Sequence, residues 1–262
     1  MEIVDLQVYP IKSLGGVSLE SSQAYEKGLE HDRRWMLVDE DGTFMSQRTT
    51  PQLALFHCEL MEDGIRVTYN EEDNFVPFDL VDKNIHRVSV WSSKLKANEV
   101  SSELSLWFSD RLNQKLTLTK MTDISKRPKR LYTAPFKTNV SFADGYPYLF
   151  LGTSSMELLN SKLDEAVGDD RFRANIIVNT SDPHEEDKWR EEFVIGTAKF
   201  KVVKACARCV MTTIDQQTAE KSPEPLKTLS EYRKKRNKIW FGANAICVKQ
   251  GRISVGDEIL IH

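Results

Sequence analysis

Short runs of β-branched and aromatic residues, cut at close intervals by turn pairs, constrain this chain more than any other feature. "IVDLQVYP", "RRWMLVDEDGTFMSQR", "LALFHCELMEDGIRVTY" and "NIHRVSVW" follow one another through the first part of the sequence. Such residues suit a pleated, half-buried surface, and runs this short read as strands. Asp41-Gly42 and Asp63-Gly64 are hairpin signals, because glycine accepts the positive φ of a tight turn. The spacing predicts an all-β barrel or sandwich. The period then changes. "SSELSLWFSDRL" sets Leu104, Trp107, Phe108 and Leu112 on one helical stripe, with Ser101 or Ser102 available as N-cap.

After the strand-like "KLTLT" comes "TDISKRPKRLYTAPFKTN", polar, basic and broken by two prolines, which reads as a linker or mobile loop. A second segment opens at "FADGYPYLFLGTSSMELLNSKLDEAV". There Ser154 and Glu157 form a capping-box pattern, and Met156, Leu159 and Leu163 line one helix face. Strands return in "ANIIVNT", "AKFKVVKA", "CVMTTID" and "GRISVGDEILIH". The helix-like "PLKTLSEYRKKR" aligns Leu226, Leu229 and Tyr232 behind Pro225. The expected fold is mainly β: two barrel-type modules, residues 1–120 and 121–262, with a few peripheral helices.

Composition excludes several classes. A chain of 262 residues with 40% hydrophobic and 29% charged residues buries a real core. No apolar run approaches the roughly 18 residues of a membrane helix, and "MEIVDLQVYP" lacks the basic start of a secretory signal. A net charge of −3 gives no general attraction to nucleic acid. Four cysteines are too few for a disulfide scaffold at this length, so a cytoplasmic setting is expected. Cys58 and Cys247, in apolar surroundings, read as small buried hydrophobes.

Cys206 and Cys209 differ, lying three apart in "KACARCVMTTID". A structural zinc site needs four ligands, and no second CxxC, CxxH or HxxH pair accompanies them. A redox dithiol uses a helix N-terminus, whereas Val-Met-Thr-Thr-Ile after Cys209 favours a strand. A single thiolate, metal-binding or nucleophilic, is favoured by the cations Arg208 and Lys204. Two buried structural cysteines are the plain alternative. Other basic residues occupy strand mouths: Lys12, with Ser13, after "YP"; Arg33 and Arg34; Arg48; Arg171 and Arg173. Arginines so placed converge on phosphate or carboxylate. Together with a thiolate, they suggest an anionic, phosphate-bearing cofactor that presents a metal to cysteine.

Two long stretches resemble a known family. "VYPIKSLGGVSLESSQAYEKGLEHDRRWMLVDEDGTFMSQRTTPQLALF" resembles the β-barrel that precedes MOSC domains. "FRANIIV", "WREEFVIGTAKFKVVKACARCVMTTIDQQTAE", "PLKTLSEYR" and "FGANAICVKQGRISVGDEILI" resemble the MOSC domain. The pattern is similar to mitochondrial amidoxime-reducing components, bacterial reductases of N-hydroxylated compounds and the C-terminal domain of molybdenum cofactor sulfurase. The resemblance implies a pyranopterin molybdenum cofactor between two domains, with Cys209 as the metal ligand. It places Lys12, Ser13, Arg173 and Asn175 on the cofactor, Arg208 beside the ligand, and cofactor contacts at Gly145 and Tyr146. Asp215, six residues past Cys209, is either a group orienting water at the metal or a turn former. Two positions depart from the family pattern: Ala219, where glycine is common, and Ala174, where proline is. The bacterial reductases continue into a ferredoxin domain beyond the match, whereas this sequence stops after "SVGDEILIH". The expectation is therefore no iron–sulfur cluster in the chain and a separate electron donor of ferredoxin or flavoprotein type. The implied activity is reduction of small N-hydroxylated compounds by oxygen-atom transfer. The alternatives are a carrier of molybdenum cofactor or of persulfide sulfur, and a binding module with no metal.

Overall fold

The computed structural model describes residues 1–122, 125–130 and 137–261. The fold is mainly β, with three α-helices among the described residues: α1 (Ser102–Leu112), α2 (Thr153–Asn160) and α3 (Leu226–Arg233). The hub is a nine-stranded, largely antiparallel sheet. Its order runs Val17–Leu19, Ile3–Val8, Ile176–Val178, Tyr148–Gly152, Lys238–Lys249, Ala198–Arg208, Glu192–Ile195 and Ile259–Ile261, with Lys234–Lys235 paired to the start of Lys238–Lys249. The ends of the sheet approach each other. Ile3 N donates to Asp257 O at 3.0 Å, and Ile259 N donates to Met1 O at 2.9 Å. This curls the sheet into a barrel-type wall whose interior holds Leu6, Tyr148, Phe150, Phe193 and Phe200.

The N-terminal strands belong to that wall. Ile3–Val8 pairs with Ile176–Val178, and Ser21–Tyr25 pairs with Gly251–Ser254. Ile3, Leu6, Val8, Ala24 and Leu29 share one apolar core with residues from the second half of the chain. From Trp35 onward the first half builds smaller sheets. Trp35–Val38, Thr117–Lys120, Ser93–Glu99 and Ile85–Val90 form one; His57–Leu60, Gly64–Tyr69 and Glu72–Pro77 form another. Helix α1 packs Leu104 and Phe108 onto Phe56, Leu118 and Ile65, and Ser101 caps it by accepting from Leu104 N.

The two Asp-Gly pairs turn for different reasons. Gly42 takes φ 73° between Val38 and Phe44, as a positive-φ turn requires. Gly64 starts its strand, and there a Cβ would meet Phe75 Cζ at 2.4 Å. Helix α2 forms without its expected capping box. Gly152 is the N-cap, and Ser154 lies one residue inside the helix, donating to Thr180 O at 2.7 Å. Of the polar stretch after Met121, residues 123–124 and 131–136 lie outside the described residues. Its described parts form a ladder between Pro128–Arg130 and Lys137–Asn139. Arg127 within it is buried, contrary to a solvated charge run. Among the described residues no helix is long and apolar enough to cross a membrane.

Candidate functional site: a cationic pocket with a thiol at its wall

A cavity of about 470 Å³ opens where the loops of the smaller sheets meet the ends of the large sheet. Lys12, Ser13, Arg33, Gly145, Tyr146, Arg173, Asn175, Arg208 and Cys209 all line it. So do Arg48, Arg171 and Lys204, which makes seven basic residues against one acid, Asp144. Asp215 does not line it.

Two turns deliver the first-half residues. After Ile3–Val8 the chain bends so that Lys12 N donates to Trp35 O at 2.8 Å, and Ser13 sits at φ 73° with its hydroxyl on Met45 O. Arg33, at φ 50°, donates to Asp32 at 2.8 Å, to Asn175 Oδ1 at 3.3 Å and to Arg173 O at 3.1 Å. Arg173 itself has φ 54°, and Trp91, also in the lining, has φ 56°. Four non-glycine residues in left-handed backbone thus share one cavity. Each such residue is destabilising by roughly 1–2 kcal/mol, and strain of this kind clusters at functional sites.

The decisive local geometry surrounds the two cysteines. Ala198–Arg208 is a strand, so side chains of successive residues leave on opposite sides. Arg208 therefore turns away from Cys209. Its Nη1 lies 3.2 Å from Cys206 Sγ, and its Nη2 donates to Phe172 O at 2.6 Å. The cation at Cys209 is Arg48 instead, with Nη2 3.3 Å from Sγ. Arg48 Nη2 also reaches Asp144 Oδ2 at 3.3 Å, and Lys12 Nζ contacts the other carboxylate oxygen. A continuous relay joins Lys12, Asp144, Arg48 and Cys209. Enclosure opposes ionisation of Asp144, but Lys12 and then Arg48 hold its carboxyl well below the usual range. Burial lowers the pKa of Lys12, with Asp144 opposing. Burial likewise brings Arg173 down to about 10.

Beyond Cys209 the expected strand does not form. Val210–Thr213 is a 3-10 turn in which the Thr212 and Thr213 hydroxyls bond back to Cys209 O and Val210 O at 3.0 and 2.8 Å. Hydroxyls that bond locally compete with a ladder, which is why β-branched threonines here leave the sheet. Asp215 closes the following turn. One oxygen accepts from Gln217 N and Thr218 N, and the other holds Arg171 Nη2 at 2.6 Å. Its contacts are those of a turn former that steadies a pocket arginine. Asn175 is 2% exposed; it donates to Gln7 O and accepts from Leu149 N, tying strands together behind Arg33.

Three contributors escaped the sequence pattern. Asp144 precedes Gly145 and looks like any turn residue. Arg127 props the pocket wall, donating to Ser141 O at 2.8 Å, to Ala143 O and to Asp144 O. Trp91 stacks under Arg48 with its ring centroid 4.6 Å from the guanidinium carbon. Arg48 carried a signal as a basic residue closing a hairpin; its partner did not.

Residues 1–115 match the family profile described as MOSC N-terminal beta barrel domain, and residues 137–260 match that of the MOSC domain. The mitochondrial amidoxime reducing component 2 of Bos taurus is 30% identical over 278 residues, spanning 98% of this chain and 82% of that protein. The chain belongs to the MOSC family. Mitochondrial amidoxime-reducing component 1 of Homo sapiens is 28% identical, covering 99% of this MOSC protein and 82% of its own length. The molybdenum cofactor sulfurase of Oryza sativa subsp. japonica is 29% identical over 90% of this chain but 31% of its own. Ala219 adopts φ 60°, a left-handed position held without the glycine that favours it.

The donor set fits an anionic, metal-bearing cofactor. Arg173 Nη2, Arg171 Nη1 and Arg208 Nε are buried without hydrogen-bond partners, and all three residues line the cavity. A buried guanidinium donor left unpaired is costly, and an anion in the cavity would satisfy it. Among the described residues no group of three or more His, Cys, Asp or Glu side chains could hold a metal alone. Cys209 offers one soft donor.

Proposed function

We propose that this MOSC protein binds a pyranopterin molybdenum cofactor in the pocket and reduces small N-hydroxylated compounds, with electrons from a separate carrier protein. One observation carries the reading: a thiol beside a guanidinium shares a cavity with unpartnered buried arginine donors. Cys209 would be the protein's ligand to molybdenum, with the Arg48 guanidinium 3.3 Å from its sulfur. Arg173 and Arg171 would hold the phosphate, with Lys12 and Ser13 lining the same cavity. When bound, the cofactor supplies the redox centre that takes oxygen from the substrate. Asp144 keeps Lys12 and Arg48 in place and, being held ionised, acts as a hydrogen-bond acceptor. Asn175 and Asp215 position Arg33 and Arg171. Phe44, Tyr146 and Met211 in the lining give an organic substrate an apolar surface.

The test is metal analysis of protein made in a host competent for molybdenum cofactor synthesis, followed by amidoxime reduction with a reduced dye as donor. Stoichiometric molybdenum and turnover are expected. Metal without turnover supports a carrier of molybdenum cofactor instead, a reading also in keeping with the sulfurase relative. Absence of molybdenum would sink both.

A further inference from the structure

From Tyr232 to Gly256 the chain carries seven basic residues and no acidic one, in a protein of net charge −3. The density peaks in a hairpin. Lys234–Lys235 pairs with the start of Lys238–Lys249, and Arg236 and Asn237 form the two-residue turn. Lys234, Lys235, Arg236 and Lys238 are exposed, whereas Arg233 is withdrawn onto Asp187. Both turn residues have positive φ, 50° and 57°, as the type I′ connection demands. Asparagine suits that position; arginine is sterically penalised there and places a cation at the very tip. The turn is also stapled, because Trp240 Nε1 donates to Lys235 O at 3.1 Å.

Register puts this hairpin beside the pocket. Arg208 pairs with Ile239, so the hairpin runs on past the end of the strand that delivers Cys209. Strand geometry sets its tip on the order of 10 Å from the Cys209 backbone. Val210, immediately after Cys209 at the start of the 3-10 turn, is 53% exposed. An exposed apolar residue at the Cys209 end of the strand and a basic hairpin running past that end supply the apolar and charged components of a small docking surface.

We propose that this hairpin, with Val210, docks a small acidic electron-carrier protein against the Cys209 end of the pocket. The proposal rests on the reductase reading above, which needs electrons brought to that wall from outside. Charge complementarity names the partner's chemistry: an acidic face around its redox centre, steered by long-range attraction that salt screens. A membrane is disfavoured by the tip itself, which presents cations and an asparagine and no apolar side chain to insert. Nucleic acid is disfavoured by the footprint, a single two-residue turn against the several phosphate contacts such binding uses.

Binding measured by surface plasmon resonance on the full chain tests this without metal or turnover. The probes are a plant-type ferredoxin and a flavodoxin, with phosphatidylglycerol vesicles and duplex DNA as alternatives. The wild-type chain should bind at least one carrier, and binding should weaken as salt rises from about 20 to 200 mM. The exposed-site double variant Lys235→Glu/Arg236→Glu should weaken binding roughly tenfold or more. Lys83→Glu/Lys96→Glu, which changes net charge equally at exposed positions outside the hairpin, in and beside the Ile85–Val90 and Ser93–Glu99 strands, should weaken it less than about twofold. An unchanged thermal melt establishes that each variant is folded. The proposal is overturned if neither carrier binds, if the hairpin variant binds as well as wild type, or if vesicles or DNA are preferred to both carriers. Failure of the reductase reading would show separately, as absence of molybdenum or of amidoxime turnover in the holoprotein preparation.

Discussion

Two regions of this protein handle a cysteine in opposite ways. Cys58 packs, partly buried, against the apolar core that holds Phe56 and Phe108, and burial pushes its thiol up to about 12 even with Arg173 opposing. Cys209 follows the end of a strand at a cavity wall, with a guanidinium 3.3 Å from its sulfur. The first region is apolar, densely stacked and internally satisfied; Phe56 and Phe108 centroids lie 5.5 Å apart. The second gathers seven cations, leaves buried donors unpaired and holds four residues in left-handed backbone. One region stabilises the fold, and the other holds a destabilised arrangement that a ligand would relieve.

The sharpest way to break this comparison is Cys209→Ser. A hard, mostly protonated hydroxyl replaces a soft thiolate, so molybdenum content and reductase activity should fall to background while the melting curve is unchanged. Loss of the fold instead would place Cys209 with Cys58 as a packing residue. Next in size is Phe108→Ala in the aromatic region. Removing a fully buried ring should destabilise by about 3–5 kcal/mol in urea unfolding, with metal content per folded molecule unaffected. Arg173→Met should behave inversely. It removes a buried, partly unpaired cation stacked on Tyr9, so stability should hold or rise by about 1 kcal/mol, whereas molybdenum loading at limiting cofactor drops about tenfold. A large loss of stability in that variant would count against the pocket being a strained ligand site.

The smallest effect concerns pH and a group outside both regions. Burial, then Arg233 and Lys188, brings His184 down to about 4. Between that value and the unfolded value of about 6.5 the unfolded chain binds more protons. Stability is therefore fully present above the unfolded value and declines as pH falls toward 4. After allowance for the partial exposure of His184, the loss should be about 1–2 kcal/mol in denaturant titrations at pH 7 and pH 4. His184→Asn, which tolerates the φ of 62° at this position, should flatten that part of the slope.

Local signals were legible to the extent that local physics governed them. Helix α1 appears with its stripe and its Ser101 cap, because cap, propensity and apolar period all act within a few residues. The capping box of α2 failed because Thr180, twenty-six residues away, competes for the Ser154 hydroxyl. The strand expected after Cys209 failed because two threonine hydroxyls bond back to the chain. At the site, residue types were readable and their pairings were not. Lys12, Arg33, Arg173 and Cys209 stood out as cations and a thiol at strand ends, and they share one cavity. That Arg48 and not Arg208 faces Cys209 follows from strand alternation combined with a contact 161 residues away in sequence. Asp144, which joins Lys12 to Arg48, is invisible for the same reason. Composition and period specify which elements form and which chemistry the chain carries. Which cation meets which thiol is settled where distant loops converge, since Coulomb and hydrogen-bond energies depend on distances in space that sequence separation does not encode.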